Sequence, residues 1–163
     1  MAESPPLGTP DLGTTMPVWG AKMGDHLLHR IKIFVYRLGE PGPDYLLLKA
    51  AQGHEALWGP LHGNLGFGEK LEGAIRRRVR EDTGFVPPAQ LVDLEMPARW
   101  VLGDEQVIEW MFGFQASGDP DPRRIKRAWA AHRWATFEEA YPTLGLDPDR
   151  AAIMRLHAHL NAA

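Results

Sequence analysis

Residues 78, 81 and 82 are Arg, Glu and Asp. Spacings of three and four bring their side chains onto one patch if the segment is helical. Two adjacent carboxylates suit a small hard cation: Mg²⁺ takes oxygen ligands at about 2.0–2.1 Å, commonly one or two carboxylates plus substrate phosphates. Just ahead, "GNLGFGE" (63–69) supplies Gly63, Gly66 and Gly68, where backbone can approach a ligand closely. Metal-assisted phosphate chemistry is one reading. Arg78 cuts across it, because a guanidinium cannot ligate a cation, and at about 4 Å its repulsion or competition is worth on the order of 1–4 kcal/mol. A plainer reading stands beside it. Glu72–Arg76, Arg77–Glu81 and Arg78–Asp82 are all i,i+4 pairs, and a solvated helix face laced with weak ion pairs has the same composition.

These residues need a helix and a loop to hold them. Leu71, Ala74, Ile75 and Val79 recur at helical spacing, which predicts a helix over 70–82 with those four as its buried stripe. Gly84 is placed to end it and "VPP" (86–88) to prevent its continuation. Upstream, "HRIKIFVYRL" (29–38) predicts a strand with Ile31, Ile33 and Val35 on one face and Lys32, Phe34 and Tyr36 on the other. "GEPGPD" (39–44) reads as a turn and "YLLLKAA" (45–51) as a short buried strand. The glycine-rich stretch 53–69 reads as a loop wrapping towards a site. Downstream come β-like segments at 90–102 and 106–116, then a sharp loop at "GDPDP" (118–122). A further strand ends near Trp134. A last helix over 147–160 has Asp147 as N-cap, Pro148 at its first position and Asp149 in its first turn. The order, strands, loop, helix, strands, helix, predicts an α+β chain, an α/β/α sandwich around a mixed sheet.

The 163-residue chain is long enough for one proper core. We expect a flexible N-terminal arm over 1–25, where Pro, Gly, Ser and Thr leave little to bury, and a single domain over 26–163. A formal charge of −3 gives no basis for nucleic-acid or membrane attraction. No apolar run is long enough to span a bilayer. The absence of cysteine fits a reducing, cytoplasmic setting.

Gly63, five residues, Glu69, seven residues, then "RRVREDTGF" (77–85) resembles the box of the Nudix family. That box runs glycine, five residues, Glu, seven residues, Arg-Glu, an aliphatic residue, any residue, two glutamates, any residue, Gly, aliphatic. Gly63, Glu69, Arg77, Val79, Glu81, Gly84 and Phe85 match, Asp82 is conservative and Arg78 departs. Trp58 also stands where many members carry a tryptophan, and the resemblance extends over roughly residues 27–160. It implies a Nudix-type pyrophosphohydrolase that cleaves a nucleoside polyphosphate or related diphosphate with Mg²⁺ or Mn²⁺. Glu81, Asp82 and Glu69 would form the catalytic set. Glu81 and Asp82 with the backbone of Gly63 would hold the metal, and Arg77 would pair with Glu69 to brace loop against helix. Where many members place one more acid, about six positions before Trp134, this chain has Ala128 beside Arg127. Glu105 and Glu109 are possible replacements, with Glu109 read as a solvated strand residue.

Arg78, Arg127 and His62 are the candidate contacts for substrate phosphate. His54 and His62 also read as ordinary surface residues, and Trp100, Trp110, Trp129 and Trp134 as base-stacking or core. The rival to hydrolysis is a catalytically silent domain that binds a nucleotide or a protein partner, with Arg78 and Arg127 replacing the metal's charge. A count of carboxylates in the pocket separates the two: two favour binding alone, three or more favour catalysis. A homodimer is compatible with either.

Overall fold

The computed structural model describes residues 27–50, 57–86 and 90–162. The arm over 1–25, His54 and the Pro87–Pro88 pair lie outside the described residues. In chain order the elements are β1 (Leu27–Arg37), β2 (Asp44–Lys49), β3 (Trp58–Gly59), β4 (Leu61–Asn64) and α1 (Leu71–Thr83). They continue with β5 (Leu91–Asp93), β6 (Ala98–Leu102), β7 (Glu105–Gln115), α2 (Pro122–Ala128), β8 (Ala131–Thr136), α3 (Phe137–Thr143) and α4 (Asp147–Ala162).

β1 is the organising strand. It runs parallel to β7 from Leu27↔Gln106 to Tyr36↔Gln115. On its other edge it changes partner: Arg30–Ile33 pair antiparallel with β4, and Tyr36–Arg37 pair antiparallel with β2. The sheet therefore forks. β3 adds to β2 across Leu48↔Gly59, while β4, one residue later, adds to β1. This crossing carries Gly63 and the glycine-rich turn to the foot of α1.

The alternation expected in β1 is present, and both of its faces are covered. Ile31, Ile33 and Val35 pack with Ala74, Ile75 and Val79 of α1 and with Ile125 and Trp129 at α2. Phe34 and Tyr36 pack on the other side with Ala140 of α3 and Ile153 and Leu156 of α4. Two helices above and two below the mixed sheet make the α/β/α sandwich. Of the four residues in the predicted α1 stripe, Ala74, Ile75 and Val79 are fully buried and Leu71 is half-buried against them. Gly84 ends α1 in the left-handed region (φ 83°), its N–H donating to the Arg80 carbonyl, a conformation that costs a residue without Cβ least.

Four expectations change. The stretch 53–69 is not all loop, since β3 and β4 form within it. The β-like segment 90–102 divides into β5 and β6. The turn at 118–122 leads directly into a helix: Asp121 accepts from the Arg123 N–H and Pro122 opens α2. Asp147 is already inside α4, because the Leu146 carbonyl accepts from the Asp149 and Arg150 N–H groups. No described helix is long and apolar enough to cross a membrane.

Candidate functional site

The turn before α1 is braced as follows. The Glu69 N–H donates to the Gly66 carbonyl at 3.0 Å, and the Gly66 N–H donates to Glu69 Oε1 at 2.9 Å. Arg77 then reaches back from α1 with a two-pronged contact, Nε to Oε2 at 2.7 Å and Nη2 to Oε1 at 3.0 Å. Those hydrogen bonds, the Arg77 ones foremost, hold the Glu69 carboxyl at about 2 against an ordinary 4.5. Arg77 also donates from Nη1 to Glu81 Oε1 at 3.2 Å. Glu69 and Glu81 are thus joined through one guanidinium on the outer side of α1, where half of the Glu81 side chain is exposed.

One position along, α1 turns inward. The Arg78 side chain lies against the backbone of Gly63: a Cβ placed on residue 63 would stand 2.5 Å from Arg78 Nε and 2.9 Å from Cζ. Arg78 Nη1 sits 3.6 Å from Asp82 Oδ1. Asp82 is buried and accepts from Trp129 Nε1 at 3.3 Å. Burial pushes its carboxyl above the usual range, opposed mainly by the Arg78 charge. Arg78 Nε is buried and has no hydrogen-bond partner among the described residues.

His62 stands on β4 next to Gly63, with its ring 5.1 Å from that of Trp129, edge to face. Its Nδ1 lies 3.0 Å from Arg30 Nη2. A guanidinium only donates, so Nδ1 accepts and the proton sits on Nε2. Burial first, then Arg30, Lys32 and Arg78, hold the ring down to about 4, which leaves it neutral near pH 7. Beyond it, Lys32 is paired with Asp149 at 2.7 Å and Glu109 at 3.4 Å, and Arg30 reaches Glu109 at 3.9 Å. Lys32, Glu109 and Asp149 are all buried. Glu109 is therefore not the solvated strand residue its spacing suggested, and Asp149 does more than favour a helix start. Burial raises the Asp149 carboxyl, and the Lys32 ammonium opposes that rise. Arg127 is exposed on α2 and Ala128 closes that helix.

The proposed metal donors can now be tested against a divalent cation. Gly63 and Asp82 both face the Arg78 guanidinium, and Glu81 is turned towards Arg77. Among the described residues no three His, Asp or Glu side chains cluster into a metal site. The donors as arranged do not fit Mg²⁺ or Mn²⁺, which need several oxygens converging on one point. Spacing alone did not point to Arg30, Lys32, Asp149 and Trp129 as parts of this neighbourhood. The available signal was Lys32, a charge set between Ile31 and Ile33 at the start of an apolar run.

Residues 28–157 match the family model for the NUDIX domain. The chain belongs to the Nudix family. The Caenorhabditis elegans Ap4A hydrolase, solved as a binary complex, superposes with a TM-score of 0.67 at 18% identity, covering 83% of this chain and 99% of that one. The Escherichia coli dihydroneopterin triphosphate pyrophosphohydrolase gives 0.67 at 16% identity, over 80% and 95% of the two chains. The C-terminal domain of mouse MUTYH, solved with human PCNA, gives 0.61 at 16% identity, over 81% and 88%. At these identities the likeness is one of fold. No match was found among curated proteins.

Proposed function

We propose that this chain binds a nucleoside polyphosphate or related diphosphate beside Gly63 and α1, and that Arg78 supplies the positive charge there. The observation that carries this reading is the position of Arg78, against Gly63 and beside Asp82, two of the three groups expected to hold a metal. Of the two box carboxylates, Glu81 is turned outward and Asp82 faces Arg78, which supports binding over hydrolysis. A guanidinium meets phosphate oxygens with paired donors. The shared fold is compatible with either role, since it occurs both in named hydrolases and in a domain solved with a protein partner. With no cysteine to oxidise, we place the chain in the cytoplasm.

A second reading has one observation in its favour. The Glu69–Arg77–Glu81 brace is complete, and it presents Glu81 at the rim. Were Arg78 to swing aside, Glu81 and Asp82 could serve Mg²⁺ or Mn²⁺ for metal-dependent pyrophosphohydrolysis. Arg78→Glu separates the two. Under the binding reading it places an anion against the phosphate, and ADP affinity falls by about 1.5–3 kcal/mol, the worth of a hydrogen bond to a charged group. Under the hydrolytic reading the same change adds a ligand, tightens Mg²⁺ binding and raises phosphate release. Calorimetric titration with ADP and a phosphate-release assay with Mg²⁺ and Mn²⁺ read both. A rise in turnover without loss of ADP affinity would replace the first reading by the second.

A further inference from the structure

A cavity of about 260 Å³ opens between the turn at 41–44, the start of α3 and the last turns of α4. It lies on the α3–α4 side of the sheet, whereas α1 packs on the other. Its volume is just below the 300–1,000 Å³ or so of drug-sized pockets, so it suits a ligand of a few heavy atoms and not a nucleotide.

One wall is a ring held in place. His157 stacks on Phe137, with centroids 4.1 Å apart and the planes 10° from parallel, and its Nδ1 lies 2.7 Å from the Tyr45 hydroxyl. Tyr45 is buried. Burial first, then Tyr36 and Glu138, push its hydroxyl above the ordinary range, so it stays protonated. With Nδ1 committed, Nε2 is the nitrogen His157 has left for a ligand. The bond to Tyr45 can run in either direction. A donor in the cavity selects the tautomer in which Nδ1–H donates to Tyr45 and Nε2 accepts.

The rest of the lining is rich in acceptors. Asp44 and Glu138 bring carboxylates from two sides and Asn161 brings an amide. Asn161 stands at the end of α4, where the helix dipole favours positive charge. Among the described residues no lysine or arginine lines the cavity. Arg37 reaches Asp44 only at 3.7 Å, while its Nη1 is held by Asp119 at 2.9 Å. The capping box takes up the Thr136 and Glu139 N–H groups at the start of α3, donors that would otherwise invite an anion.

We infer that this cavity binds a small organic cation, an alkylammonium group held between Asp44, Glu138 and His157 with Pro41, Pro43 and Phe137 against its alkyl part. The ammonium belongs to a free amine or to the lysine side chain of a partner, and its chemistry is the same in both. The site does not depend on the diphosphate reading.

The probes are n-butylamine, its uncharged counterpart n-butanol, and N-acetyl-lysinamide, which carries the same ammonium on a peptide unit. Each is titrated into the whole chain and followed by backbone amide NMR shifts. We expect butylamine to shift Gly42, Asp44, Glu138, His157 and Asn161, and butanol to leave them in place. Glu138→Gln and Asp44→Asn should each weaken butylamine about 10-fold, the lower end for a hydrogen bond to a charged group. Unchanged spectra away from the cavity confirm the fold. Should Asp44→Asn disturb the turn, Glu138→Gln decides alone, because Glu138 is exposed. Tighter binding of N-acetyl-lysinamide assigns the cavity to a partner's lysine, and tighter binding of butylamine to a free amine. Equal shifts from butanol overturn the ammonium assignment. Shifts confined to other residues, or an affinity that neither carboxylate variant changes, overturn the site.

Discussion

Arg78 rests on the backbone of Gly63, so close that no side chain could be added at residue 63 without moving the guanidinium. The glycine is a seat for the arginine.

That contact predicts a coupling. Gly63→Ala should cost about 1–3 kcal/mol, the usual range for overpacking. In an Arg78→Ala background the same change should cost much less, because nothing remains for the new methyl to meet. Urea unfolding of the four proteins in a double-mutant cycle measures the difference. Additive costs would mean that the two residues do not share the space.

The Glu69 brace predicts a pH dependence with a definite sign. Its carboxyl sits at about 2 in the folded chain against 4.5 ordinarily, so folding favours the ionised form. The resulting stabilisation is complete above pH 4.5, shrinks as the pH falls and is gone below about pH 2. Thermal midpoints measured across that window should fall less steeply in Glu69→Gln than in the wild type. Parallel curves would show that the brace is not coupled to folding.

Lys32 predicts a larger loss. Lys32→Met leaves Glu109 and Asp149 buried together with the distant Arg30 and the charge of Arg150 as their remaining balance. Breaking a buried pair in this way typically costs about 3–5 kcal/mol. Adding Glu109→Gln and Asp149→Asn to Lys32→Met should recover much of the loss by removing both uncompensated charges. Denaturant midpoints check it, and a single mutant as stable as the wild type would remove the network from the account of stability.

What could be read in the sequence followed from periodicity and spacing. The two faces of β1, the span of α1 and the glycine that ends it come from rules acting over a few residues. The short helices α2 and α3 have seven residues each, too few for a helical apolar period to emerge. Their caps were nonetheless written in the chain: Asp121 caps α2 with Pro122 behind it, and Thr136 with Glu139 forms a capping box. The Lys32–Asp149 pair was beyond such rules. It joins residues 117 positions apart, and only the packing of α4 on the sheet brings them together. Spacing put Arg78 on the same patch as Asp82, but its seat on Gly63 depends on β4 crossing the fork.

The parallel ladder between β1 and β7 also sets the order of events during synthesis. Leu27 emerges early, yet its partner is Gln106 and the last rung waits for Gln115. At the usual 5–20 residues per second, the growing chain carries an incomplete central strand for roughly 4–16 seconds. Over that interval β1 has only its antiparallel neighbours, β2 and β4, on one edge, and its other edge presents unpaired backbone N–H and C=O groups. A ribosome-bound chain halted near residue 100 should therefore present β1 to chaperones, and one halted beyond the exit of residue 115 should not.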